Sequence, residues 1–311
     1  MNKTNKLFIL INFFIVILIA IFLKNDYYIG LVTYILINAM LASGLNILLG
    51  YSGIISLCQA SFFGIGAYLS GILTVHFQYS PIITVLIGAF VTFIVALIIA
   101  YPTLKLHGHY LAMATIGFGM IVYVLANELD FFTGGPSGLI GIPYFSIFGF
   151  EFDTEIKNYM LFAFLYLLTL VFLELFDKSF LSYDFRFIRE SEHASSAFGI
   201  NYHKEKMLLF ASIAAYSSII GSFYAFYSQF ISPTSIGINY SIEILAMVII
   251  GGLGSTYGGV IGAIIISLIP EVFASFEDFE ILIYGGILAL CIIFFPYGIA
   301  GFFKRLKIAQ N

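Results

Sequence analysis

The chain has 311 residues, of which 61% are hydrophobic and only 10% charged, against about 25% charged in an ordinary soluble domain. Its two cysteines, Cys58 and Cys291, exclude a disulfide framework or a four-ligand metal site, and both lie in apolar runs that suit packed thiols. The net charge of -4 says less than the placement of the charges; no metal, cofactor or nucleic-acid partner is expected.

Taken in chain order, hydrophobic spans are predicted near 7–23, 28–50, 55–75, 81–100, 110–127, 158–176 and 207–231, followed by a Gly-broken region at 241–271 and a last span at 279–296. From Tyr27 to Leu104 there is no Asp, Glu, Lys or Arg. A soluble core could not bury so long an uncharged stretch, whereas in lipid a helix satisfies its own backbone and charge is the costly item. The first span follows Lys3 and Lys6 and so resembles a signal peptide, but Phe22, Leu23, Lys24 and Asn25 make no small-residue cleavage site; a retained helix is expected. The fold class is all-α, a polytopic transmembrane bundle of about eight to ten helices with one or more broken or re-entrant segments. Residues 1–311 are read as one membrane-embedded domain, with a charged loop at about 178–206 and a tail at 300–311.

All of the 13 Lys and Arg except Lys24 and Lys157 fall at the N-terminus, in the 101–109 loop, in the 177–206 loop, or at the C-terminus. The positive-inside rule places these four segments in the cytoplasm. Six spans then bring the chain back inside at 177–206, and 241–271 must begin and end outside, by crossing twice or by dipping in and returning. Gly251, Gly252 and Gly254 supply the bend. The acidic residues Glu271, Glu277, Asp278 and Glu280 and the 129–157 loop fall outside. Span 207–231 is rich in Ser, Ala and Gly, which suits close helix packing in lipid.

No GxxxxGK[ST] or HExxH sequence occurs, the five histidines are scattered, and no nucleophile–base pair can be proposed, so no catalytic residue is named. The loop from Phe185 reads FRFIRESEHASSAFGINYHKEK. A short helix over about 188–198 is predicted there, with Gly199 as its C′ residue and Ala194, Ala197 and Phe198 as a small exposed apolar face. This is either a solvated connector or a partner-docking helix. Glu243, in SIEIL, is the acidic residue placed to enter the membrane, a functional candidate by default that can also sit among the headgroups.

In order and spacing, GLNILLGYSGIISLCQASFFGIGAY (44–68), YLAMATIGFG (110–119), TGGPSGLIGIP (133–143), IRESEHASSAFGIN (188–201), ISPTSIG (231–237) and SIEILAMVIIGGLGSTYGGVIGA (241–263) resemble the branched-chain amino acid permease family of ATP-binding-cassette importers, in its LivM-type subunit. The resemblance implies a transport subunit without an ATPase site of its own, in a prokaryotic inner or plasma membrane with both termini cytoplasmic. Its cargo would be leucine, isoleucine and valine; urea, amides or other amino acids, or a stand-alone carrier or channel, are the alternatives. The implied partners are a second homologous permease, two cytoplasmic ATP-binding subunits and an extracytoplasmic substrate-binding protein. Arg189, Glu190, Glu192, Ala194 and Gly199 would dock the ATPases, and Ser195 stands where a second Ala is usual. Near the C-terminus, Tyr297 stands where Arg is common. Gly53, Gly64, Gly66, Gly252, Gly254 and Glu243 are the candidates for the translocation pathway.

Overall fold

The structure is a computed structural model that describes residues 3–23, 25–147, 149–273, 285–286 and 298. The predicted span 279–296 (Gly285 and Gly286 apart), Cys291, Tyr297, the acidic residues 277, 278 and 280, and the tail at 300–311 lie outside the described residues. Among those described, six helical stretches are long and apolar enough to cross a membrane and three shorter apolar helices accompany them, which is an all-α polytopic bundle. The chain divides into two compact units, one of residues 1–46, 154–183 and 246–311 and the other of residues 47–153 and 184–245.

In the first unit, α1 (Lys3–Phe22), α2 (Asp26–Asn46), α7 (Glu155–Lys178) and α12 (Gly258–Phe273) are tied by polar side chains on otherwise apolar helices. Tyr159 and Tyr166 of α7 donate to the Val16 carbonyl (2.9 Å) and to Asn12 Oδ1 (2.8 Å) of α1. Helix α12 lies antiparallel to α2 along its length. Tyr27 at the start of α2 donates to Glu271 near the end of α12 (2.7 Å), and Asn38 donates to Ser267 (2.9 Å). Gly259 sits directly against the Ala42–Ser43 backbone, and Asn46 reaches the turn that precedes α12. The broken region at 241–271 is therefore two helices, and the second runs beside α2 from the Asn46 end to the Tyr27 end. The first half is α11 (Ile238–Gly251). Its end meets α12 backbone to backbone, with no room for a Cβ at Gly251 or Gly262.

The second unit is built on α3 (Gln59–Val75), α4 (Pro81–Thr103), α5 (His109–Glu128) and α10 (Tyr202–Ser228). The small residues of α10 do what lipid requires of them, because without a hydrophobic force helices associate by close backbone approach and short polar contacts. Gly66 of α3 faces the Ser218 carbonyl, and Gly221 of α10 faces that of Phe63. Ser222 donates to the Gly66 carbonyl (3.0 Å), Thr92 to Ser218 (2.9 Å), and Gln59 to Ser217. Segment 129–154 is more structured than a simple loop. It holds the short α6 (Asp130–Thr133), the strand β1 (Leu139–Ile140) and the hairpin of β2 (Ser146–Ile147) and β3 (Phe150–Glu151). β1 pairs antiparallel with β4 (Phe230–Ile231) just after α10, and Phe145 packs on Phe223 and Phe226 of that helix (4.9 and 5.7 Å).

Candidate functional site

The charged loop is itself helical. α8 (Phe180–Glu190) follows α7 at once and α9 (Glu192–Ala197) follows α8, so the helix predicted over 188–198 is split. Ser191 takes extended angles (φ -158, ψ 112) and its hydroxyl accepts from the Ala194 N–H at 3.2 Å, an N-cap that starts a new helix at Glu192. At the other end the Gly199 N–H donates to the Ser196 carbonyl (3.0 Å) and the Ile200 N–H to that of Ser195 (3.1 Å). With Gly199 at φ +83, this is the Schellman arrangement, and it needs a residue that tolerates the left-handed region.

Ala197, Gly199 and Phe198 are exposed, Phe198 at 79%, while Ala194 is half-buried. Ser195 is fully buried and donates to the Glu192 carbonyl (2.8 Å). The unusual Ser therefore lies on the inward face of α9 and leaves the outward face unchanged. Glu190 is exposed. Arg189 turns back into its own unit. Its guanidinium donates to the Gly50 carbonyl and its stem lies over Gly53, where a Cβ would stand 3.2 Å from Cγ. That carbonyl belongs to a π-helical turn, Ile47–Tyr51, that prolongs α2, and Arg186 lies over the Tyr51 ring (4.7 Å). Glu192 accepts from Lys206 and faces His107 Nε2 at 3.4 Å. Burial pushes its carboxyl up, but the hydrogen bonds and charges of Lys206 and His107 outweigh that and leave it below the usual carboxylate range.

The glycines named for the pathway fall in two groups. Gly53, Gly64 and Gly66 belong to the second unit; Gly64 packs on Ile236 (2.6 Å for an added Cβ) and Gly66 on Ser218. Gly252 (φ +119) and Gly254 (φ +69) form the turn between α11 and α12 in the first. A wholly apolar recess of about 340 Å3 lies among α3, α4 and α5, lined by Tyr68, Ile72, Val95, Phe118 and Val122 among others, and none of the five glycines lines it. Glu243 is half-buried on α11.

Glu243 is not the acidic residue most deeply placed in a span. Glu174 in α7 is 2% exposed, accepts from Lys178 one turn on, and receives the Tyr257 hydroxyl at 3.1 Å. Asn46 is the second residue missed: its side chain accepts from the Gly254 N–H (3.0 Å) and donates to the Ser255 carbonyl (2.6 Å). The Glu–Lys pair at i, i+4 near the end of an apolar run was the available signal for Glu174. Asn46 had only its place in the Gly-Leu-Asn run.

The apolar helices of spanning length among the described residues define a multi-pass membrane protein. Residues 27–295 match the family described as branched-chain amino acid transport system / permease component. The chain belongs to that family. It is similar to the high-affinity branched-chain amino acid transport system permease protein LivM of Escherichia coli (strain K12) and to the protein of the same name from Salmonella typhimurium (strain LT2). It is 29% identical to each over 294 residues, which covers 87% of this chain and 69% of each relative. No solved structure matches.

Proposed function

We propose that the chain is the membrane subunit of an ATP-driven importer of leucine, isoleucine and valine. In this reading it pairs with a second homologous permease and takes substrate from an extracytoplasmic binding protein. Two cytoplasmic ATP-binding subunits drive it, and it lies in a prokaryotic inner or plasma membrane with both termini inside. The family match over most of the chain carries the reading, and the two LivM relatives supply the cargo. Support for ATPase docking comes from α9: a short helix capped at both ends, with exposed Phe198 beyond it and basic residues around it that the positive-inside rule assigns to the cytoplasm. Glu190, Ala194 and Gly199 are then the residues placed to meet the ATPases, while Arg189 and Glu192 hold the element in shape from behind.

Co-purification from a native membrane and reconstitution with the binding protein test this. ATP-dependent leucine uptake by a complex containing two ATPases is the expected result. Transport by the chain alone, driven by a pH gradient, would overturn it, and Glu243 would then be the first residue to examine. Urea or an amide displacing leucine from the binding protein would change the cargo and keep the machine.

A further inference from the structure

Resting on that reading, we propose that the turn 252–257 between α11 and α12 is a coupling element on the inner side of the membrane, and that Glu174 is the positioning residue that ties it to the end of α7, from which the chain enters α8. The placement comes first. Asn46 ends α2 and Glu174 stands one turn before Lys178, where the chain leaves α7 for α8. The end of α7 leads into the 177–206 segment, which its basic residues assign to the cytoplasm, and Asn46 reaches the same turn as Glu174, so it stands on the same side. The turn touches both: Gly254 and Ser255 bond to Asn46, and Tyr257 bonds to Glu174. At the far end of the same helices, Tyr27 bonds to Glu271, so α12 runs outward from this turn and α11 runs inward to it.

The chemistry of the contact comes second. Glu174 Oε2 takes the Tyr257 hydroxyl while Oε1 takes Lys178, so one carboxylate is shared between the turn and the last residue of α7. A carboxylate only 2% exposed is costly to strip of a partner. A shift at the end of α7 is therefore transmitted to Tyr257. Gly252 and Gly254 hold left-handed angles that let the chain reverse tightly in this turn. The two helices it joins are locked together where Gly251 meets Gly258 and Gly262 meets Met247. Movement at the junction of α7 with α8 on ATPase closure thus reaches the turn and α12 together.

The test uses the complete transporter in proteoliposomes and reads leucine taken up per ATP hydrolysed. Tyr257→Phe removes one hydroxyl and Glu174→Gln removes the charge. Both are expected to assemble with the ATPases and to hydrolyse ATP, while uptake per ATP falls about tenfold, the equivalent of one hydrogen bond to a charged group. An unchanged ratio in Tyr257→Phe overturns the proposal. So does loss of inserted protein in that variant, which would mark the contact as a folding anchor. If Glu174→Gln alone fails to insert, Tyr257→Phe decides. A wild-type complex that binds no ATPase would instead remove the importer reading itself, before any variant is compared.

Discussion

Lys206, in the first turns of α10, donates to the carboxylate of Glu192 at the head of α9, 14 residues away in sequence. The pair closes the capped helix against the helix that follows it, and His107 stands on the other side of the same carboxylate. This small triangle ties α9 to α10 and to His107.

Its pH dependence has a definite sign. The Glu192 carboxyl titrates below its ordinary value in the folded chain, so the stabilisation is present above pH about 4.5 and is lost as pH falls through the folded value. Because the group is partly exposed, the amount is well under about 1 kcal/mol. The protection of the amides of 194–200 against hydrogen exchange, taken relative to their intrinsic rates at each pH, is expected to fall below pH about 4.5, and Glu192→Gln should abolish that pH dependence while Lys206→Met weakens it.

Gly199 has open space around it within this chain and a left-handed backbone, so the chain itself feels a substitution there only through φ. Gly199→Asn should be nearly silent, Gly199→Ala should cost about 1 kcal/mol, and Gly199→Val more. ATPase co-purification should fall in that order. Equal loss in all three would mean that a side chain meets the partner directly.

Gly66 and Gly117 make a matched pair. A Cβ on Gly66 meets the Ser218 backbone, whereas one on Gly117 meets nothing within 4 Å. Gly66→Ala should force α3 away from α10 and lower the thermal midpoint of the detergent-solubilised protein, at a cost of about 1–3 kcal/mol. Gly117→Ala should leave it unchanged or slightly raised.

The direction of α11 and α12 is testable by labelling. Leu253, in the turn, is 42% exposed, and Ile140 in β1 is 69% exposed. A Leu253→Cys thiol should react with an impermeant maleimide only in inside-out vesicles, and Ile140→Cys only in intact cells, both in a Cys58→Ser, Cys291→Ser background. Reaction of Leu253→Cys from outside would reverse the hairpin.

How much of this could be read from residues alone differs by element. The spans were legible because an uncharged run such as Tyr27–Leu104 has no soluble explanation, and Gly199 was legible because a glycine ending a short helical pattern has few other uses. The start of α9 was misplaced because α8 is helical up to Glu190; the pattern runs through Ser191, and only the cap geometry reveals the break. Glu174 was passed over because an acid followed by Lys178 reads as the charged rim of a span. Asn46 was marked only by its place in the Gly-Leu-Asn run, and Tyr257 not at all. Their partners are distant in the chain, and in lipid one polar side chain at a helix end looks the same whether it bonds to a neighbouring helix or to water.

The antiparallel pairing of α2 with α12 bears on biogenesis. α2 emerges from the ribosome some two hundred residues before the helix that completes it, and meanwhile Asn38 and Asn46 sit in the bilayer with amides meant for Ser267, Gly254 and Ser255. A nascent chain halted before α12 therefore carries exposed polar groups that quality-control proteases can recognise, and premature stop codons late in the reading frame should deplete the protein as thoroughly as early ones.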